Sequence, residues 1–354
     1  MISDPGVTEI VRGIRPLDDA VARAAEAALD GKTKPRGSLG RLERLAVTIA
    51  NVRGATRPEP LRPVVVVAAG DHGVTAEGVS AYPQEVTGQM LANFGTGGAA
   101  VAVLCRHAGA ELVVVDAGVA APPSVPAVLD LSLGAGTANA AEGPAMARSA
   151  AVAGLVRGAA LARRLTDEGA GIVALGEMGI GNTTVAAALT CALLGCDPRL
   201  ACGPGTGLDD DGVARKAAVV RRVLDVNRPS PDDPIGALAA VGGFELAVLA
   251  GVALGAASGR AVVLVDGFIS SVSALVAVLL APPLRGYLVA AHRSPEPGHG
   301  LVLDALGLAP LLDLELRLGE GSGAALALPL LAAARAILVE MATFADAGVT
   351  DTGR

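Results

Sequence analysis

The feature that most constrains the fold is a series of continuous, largely β-branched segments, each ending in a glycine- or aspartate-bearing turn. Val64-Val65-Val66-Val67-Ala68-Ala69 runs into Gly70-Asp71-His72-Gly73-Val74, and Leu112-Val113-Val114-Val115 ends at Asp116-Ala117-Gly118. Gly171-Ile172-Val173-Ala174-Leu175 leads to Gly176-Glu177, Ala261-Val262-Val263-Leu264-Val265 to Asp266-Gly267-Phe268, and Gly286-Tyr287-Leu288-Val289-Ala290-Ala291 to His292-Arg293-Ser294. Strands without polar alternation are buried on both faces, the condition of inner parallel strands covered by helices. At least five such units, interspersed with Ala- and Leu-rich helical stretches, predict an α/β protein with a doubly wound, mainly parallel sheet. An eight-unit barrel is the runner-up, because it would also collect strand ends around one pocket.

Aromatic residues make up only 2% of a chain that is 52% hydrophobic, so the core must come from Ala, Val and Leu. Such small side chains suit closely approaching helices. Helices are expected over 16–29, over 39–52 with Ser38 as N-cap, from 84 to 93, and over 99–107, 145–165, 185–194 and 212–223. A further helix over 235–257 is open to interruption at Gly242-Gly243, and the last, over 322–345, should kink or break at Pro329. The proline-bearing stretch 53–63 reads as a linker, and 122–144 as a long irregular excursion. These boundaries give a smaller helical domain formed from both chain ends, residues 1–60 and 322–354, around a large α/β catalytic domain at 61–321.

A net charge of -7 argues against binding a nucleic-acid backbone. Cys105, Cys191, Cys196 and Cys202 form no CxxC pair, and residues 1–12 carry Asp4, Pro5 and Glu9 where a secretory leader needs an apolar core. A reducing, cytoplasmic setting is the expectation. The apolar runs 238–257 and 324–339 are interrupted by Glu245 and Arg335, so no membrane insertion is expected.

Two loops carry the chemistry. Gly176-Glu177-Met178-Gly179-Ile180-Gly181-Asn182-Thr183-Thr184 precedes a helix and offers exposed amides, hydroxyls and a positive helix end to an anion. It lacks the lysine of a P-loop and the spacing of a dinucleotide fingerprint. Glu177 repels a phosphate, so within such a site it would face a sugar hydroxyl or a cationic reacting centre. Glu320 stands among Gly319, Gly321 and Gly323, where shielding would raise its pKa and suit it to accept a proton; otherwise it caps the helix that follows. Ser80, Tyr82 and Gln89 offer polar contacts beside an aromatic surface, and Lys216 could balance a phosphate from a helix capped by Asp209 or Asp210. Asp71, His72, His292 and His299 have either structural or chemical readings. No metal-ligand spacing is legible, and no metal or cofactor is expected. The loops together favour an enzyme acting on a phosphorylated metabolite, the alternative being a non-catalytic nucleotide-binding regulatory protein.

Five ordered motifs narrow this further. They are Lys34-Pro35-Arg36-Gly37-Ser38-Leu39-Gly40, Gly70-Asp71-His72-Gly73-Val74, the 176–184 loop, Val265-Asp266-Gly267-Phe268 and Leu316-Arg317-Leu318-Gly319-Glu320-Gly321-Ser322-Gly323. Over residues 16–344 the chain resembles the nicotinate-nucleotide:dimethylbenzimidazole phosphoribosyltransferases. The resemblance implies transfer of phosphoribose from nicotinate mononucleotide to 5,6-dimethylbenzimidazole by a homodimer, giving nicotinate and α-ribazole 5′-phosphate for cobalamin assembly. It also implies Glu320 as catalytic base and Glu177 as second active-site carboxylate. Ser80, Tyr82, Gln89, Met90 and Leu318 are then expected at the azole, and Gly179, Gly181, Asn182, Thr183, Thr184, Lys216 and Gly319 at the phosphate and ribose.

Overall fold

The computed structural model describes residues 4–351, so the outermost residues of both terminal segments, 1–3 and 352–354, lie outside the described residues. Six parallel strands form one open sheet: β1 (Arg62–Gly70), β2 (Glu111–Gly118), β3 (Val128–Asp130), β4 (Ala170–Met178), β5 (Val262–Val265) and β6 (Leu288–Ala290). Their order is β3-β2-β1-β4-β5-β6. The chain winds outward in one direction as far as β3, then returns beside β1 and winds the other way. An open sheet with two edges excludes the barrel, and the reversal between β1 and β4 opens a crevice at their carboxyl ends. β1 pairs with β2 on one side and β4 on the other, and Val64 to Val67 are fully buried. Their unbroken β-branched run is what a central strand requires.

Helices cover the sheet. Phe244–Ser258 packs on β1, β2, β4 and β5 and lies against Arg148–Asp167. Gly158 is where these two helices come closest: a Cβ there would lie 2.0 Å from the Val248 carbonyl oxygen, and one at Gly251 would lie 2.2 Å from that of Leu155. Only glycine permits this approach, which explains how a core almost without aromatics closes. Ser322–Glu340 packs on β1 and β4 and also on Ala100–Ala108.

The two chain ends meet. Asp19–Asp30 and Arg41–Arg53 pack on each other and on Ser322–Glu340. Lys32 pairs antiparallel with Thr343, and the Lys32 ammonium donates to the Met341 carbonyl at 2.5 Å. The first helix, Pro5–Arg12, instead packs on Arg148–Asp167 and Phe244–Ser258.

Several local expectations need correction. The 122–144 excursion is not irregular throughout: it supplies β3, and Thr137 pairs with His72, tying the excursion to the end of β1. Ser38 does not cap the helix expected over 39–52, which is Arg41–Arg53. That helix starts after Gly40 with no side-chain cap, and Glu43 accepts from the Leu39 amide instead. Pro329 does not end its helix, which runs unbroken over Ser322–Glu340. The buried neighbours Leu328 and Leu331 hold it through the missing donor. The break at Gly242-Gly243 is present, between Pro234–Val241 and Phe244–Ser258. Ser322–Glu340 is the one described helix long and apolar enough to cross a membrane, and half of that stretch is buried within the protein.

Candidate active site

A cleft open to solvent lies at the carboxyl ends of β4, β5 and β6. Its walls come from the ends of three strands and from the loop before the last long helix. Glu177, Gly179, Asn182 and Thr183 come from the β4 turn, Phe268 from the β5 turn, and His292 from the β6 turn. Arg317, Leu318 and Gly319 close the opposite side. Glycine places the amide ends of two helices at this wall, Asn182–Leu194 and Phe268–Leu280. Each carries a positive partial charge suited to an anion.

Glu177 is buried but lines the cleft, and Asn182 Nδ2 donates to its Oε2. Burial, followed by the nearby Asp266 and Glu245 carboxylates, pushes its pKa up to about 8. Gly319 explains the close fit of the opposite loop, since a Cβ there would meet Glu177 Oε1 at 2.4 Å.

Glu320 follows immediately, in the middle of three left-handed residues: Gly319 at φ 81°, Glu320 at φ 64° and Gly321 at φ 86°. For a glutamate this conformation is strained by about 1–3 kcal/mol. It lets the loop pass over β4, where a Cβ on Gly176 would be 2.5 Å from the Glu320 carbonyl oxygen. The Glu320 carboxylate does not line the cleft. It turns to accept from the Val101 amide at the start of Ala100–Ala108, and its Oε2 is buried with no partner. Burial raises its pKa, offset in part by that amide.

Asp266, expected at the end of a strand and within one of the five motifs but given no role, fixes this loop. Its Oδ1 accepts from the Ala324 amide at 2.7 Å and its Oδ2 from the Gly321 amide at 3.3 Å. The residue that follows β5 therefore caps a helix more than fifty positions later. Only the ordered motifs, not local spacing, could have signalled it.

The remaining expected residues divide. Lys216 is fully buried one layer behind the cradle, where its ammonium donates to Thr183 Oγ1 at 2.7 Å and to the Gly203 carbonyl at 3.1 Å. Desolvation lowers its pKa. Thr184 is buried away from the cleft and its hydroxyl lacks a partner. Gly181, at φ 90°, precedes the cradle helix and lies against Thr75. Ser80 accepts from the Tyr82 amide, Tyr82 is 53% exposed, and Met90 Sδ accepts from Asn93. Gln89 lines a separate hollow with Asp71 and Gly88. Of the expected azole residues, therefore, only Leu318 is in the cleft with Glu177.

The ambiguous residues near the strand ends divide between scaffold and cleft. His72 Nε2 is 3.0 Å from Glu245 Oε1, both fully buried, at ion-pair distance but without hydrogen-bond alignment. It underlies Gly179, where a Cβ would come within 2.9 Å of the imidazole. Asp71 Oδ2 accepts from the Ala120 amide. His299 is held neutral, its pKa pushed down to about 3 chiefly by burial. Its Nδ1 accepts from the Ser294 amide, leaving Nε2–H to donate to Ser271 Oγ. Among the described residues, no group of three or more metal-ligating side chains comes together.

The chain is similar to known proteins over nearly its whole length. A family described as a phosphoribosyltransferase matches residues 14–349. A nicotinate-nucleotide–dimethylbenzimidazole phosphoribosyltransferase of Roseiflexus sp. is 52% identical over 97% of this chain and 98% of that protein. Its counterpart in Pseudomonas putida is 53% identical over 95% of this chain and 96% of that protein. The crystal structure of CobT from Thermus thermophilus superposes with a TM-score of 0.90 at 49% identity, covering 94% of this chain and 99% of that one.

Proposed function

Because the chain belongs to the nicotinate-nucleotide:dimethylbenzimidazole phosphoribosyltransferase family, we propose that it moves 5-phosphoribose from nicotinate mononucleotide to 5,6-dimethylbenzimidazole. The observation that carries the reading onto this chain is the buried, cleft-lining Glu177 beside the amide end of Asn182–Leu194. The phosphate takes that helix end with Gly179 and Thr183, and Lys216 supports it through the Thr183 hydroxyl. Held there, C1′ is presented to the incoming base, and much of the rate enhancement comes from this positioning.

The reaction exchanges one C–N bond for another. The C1′–pyridine bond breaks with its electron pair passing to the pyridine nitrogen, while an azole nitrogen forms the new bond from the opposite face. Positive charge growing at C1′ favours an ionised carboxylate beside it, so Glu177, whose pKa is raised to about 8, releases its proton to solvent as the cationic pyridinium arrives. The azole N–H proton passes to Glu320. To take it, the Glu320 side chain leaves the Val101 amide and turns to the azole, and its unpartnered Oε2 keeps it loosely held. Leu318 forms the azole side within the cleft in this reading, while Ser80, Tyr82, Gln89 and Met90, expected there, lie outside it.

We further assign Asp19–Asp30, Arg41–Arg53 and Ser322–Glu340 to a helical unit behind the Glu320 loop, with Pro5–Arg12 packed on the large domain instead, and the chain to a cytoplasmic homodimer. Exposed Leu314 and Leu318 ahead of the loop suit a second subunit. An assay supplying nicotinate mononucleotide with several competing azoles and purines tests the function, the products being identified by mass. Stoichiometric release of nicotinate with dimethylbenzimidazole as preferred acceptor is expected. Binding without turnover would leave the regulatory alternative instead.

A further inference from the structure

We propose that Arg317 selects a carboxylated pyridine as leaving group and stabilises it as it departs, an inference that rests on the phosphoribosyl-transfer reading above. Among the described residues, Arg317 is the only Lys or Arg side chain lining the cleft. The nearest alternative cation, Lys216, is committed behind the wall to Thr183 and Gly203. Although the cleft also exposes carboxylates from Glu177 and Glu296, Arg317 forms neither an ion pair nor a hydrogen bond among the described residues. It is exposed at the cleft wall, on the loop that Gly319 packs directly against Glu177.

The substrate brings two anions. Its phosphate has a seat at the amide end of Asn182–Leu194, whereas the pyridine carboxylate has none on that side. Arg317, two residues from the glycine that touches Glu177, occupies the wall where the pyridine lies once C1′ is beside that carboxylate. A guanidinium matches a carboxylate with two parallel hydrogen bonds.

The charges make this interaction stronger as the reaction proceeds. Bound to ribose, the pyridine is a cation carrying a carboxylate, with no net charge. When the C1′–N bond breaks, the electron pair stays on nitrogen and the departing nicotinate carries one negative charge. Attraction to Arg317 rises toward the transition state, which is the condition for accelerating the step. A carboxamide analogue goes from one positive charge to none. Arg317 repels it on binding and merely relaxes that repulsion as the bond breaks, so the discrimination appears in kcat/KM.

The test compares wild type, Arg317→Gln and Arg317→Lys with nicotinate mononucleotide and with nicotinamide mononucleotide, dimethylbenzimidazole being the acceptor for both. Arg317→Gln is expected to lower kcat/KM for the nicotinate substrate by about 10²–10³-fold. The low rate with the nicotinamide substrate should stay level or rise, so the preference collapses, and Arg317→Lys should restore part of it. Equal losses on both substrates would mark Arg317 as merely structural and overturn the inference, as would an unchanged preference. Wild-type protein that transfers from neither substrate would overturn the underlying reading and this inference with it.

Discussion

Glu177 is ionised with difficulty in the folded chain, and this has a measurable consequence for stability. Its folded pKa of about 8 lies above the ordinary value of 4.5, so the fold binds its proton more tightly than the unfolded chain does. The resulting stabilisation is complete below about pH 4.5 and is lost as pH rises through about 8. Thermal unfolding of substrate-free protein should show this fall in Tm relative to Glu177→Gln, whose profile should be flatter across that window; parallel profiles would mean Glu177 is not perturbed. Glu320 has a different task. Glu320→Gln should lower kcat by about 10²–10⁴-fold while leaving the Kd for nicotinate mononucleotide unchanged, because the lost function is proton acceptance. Transfer at the wild-type rate by that variant would remove Glu320 from the chemistry.

Among the elements, the cradle helix separates two neighbouring hydroxyls that look alike in sequence. Thr183 faces the cleft and accepts from the buried Lys216 ammonium, whereas Thr184 is buried on its own. Thr183→Val should weaken nucleotide binding and cost about 1–3 kcal/mol of stability by depriving a buried charge of its partner. Thr184→Val should leave both nearly unchanged; calorimetric titration and unfolding of the two variants would reveal any reversal. The strands were legible because continuous β-branched runs leave little alternative, and their turns marked where the cleft would lie. β3 was not, since three residues in a Pro- and Gly-rich stretch carry too little periodicity. Ser38 misled for a related reason: a good capping residue is only a local preference, and here Glu43 reaches back to the Leu39 amide instead. Long-range anchors were hidden altogether. Asp266 acts on a loop far along the chain, and nothing beside it in the sequence indicates the amides of Gly321 and Ala324. The pairing of Lys216 with Thr183 was hidden too, although each residue was a candidate on its own.

For the molecule as a whole, the sheet order brings the anion cradle, Glu177 and the Glu320 loop to one crevice, with the two chain ends joined behind the last long helix. Folding puts the cradle on one wall and the loop on the other, and the proposed displacement at C1′ is assigned to the space between them. A carboxylate beside C1′ permits two outcomes: it can steady the charge while the azole attacks directly, or it can itself attack and form a glycosyl-enzyme intermediate. Direct attack inverts the anomeric centre, whereas two successive displacements retain it. The decisive measurement is the anomeric configuration, by NMR, of the ribosylated dimethylbenzimidazole made from β-nicotinate mononucleotide by the purified protein. The account predicts the α anomer alone; a β product would contradict direct displacement across the cleft.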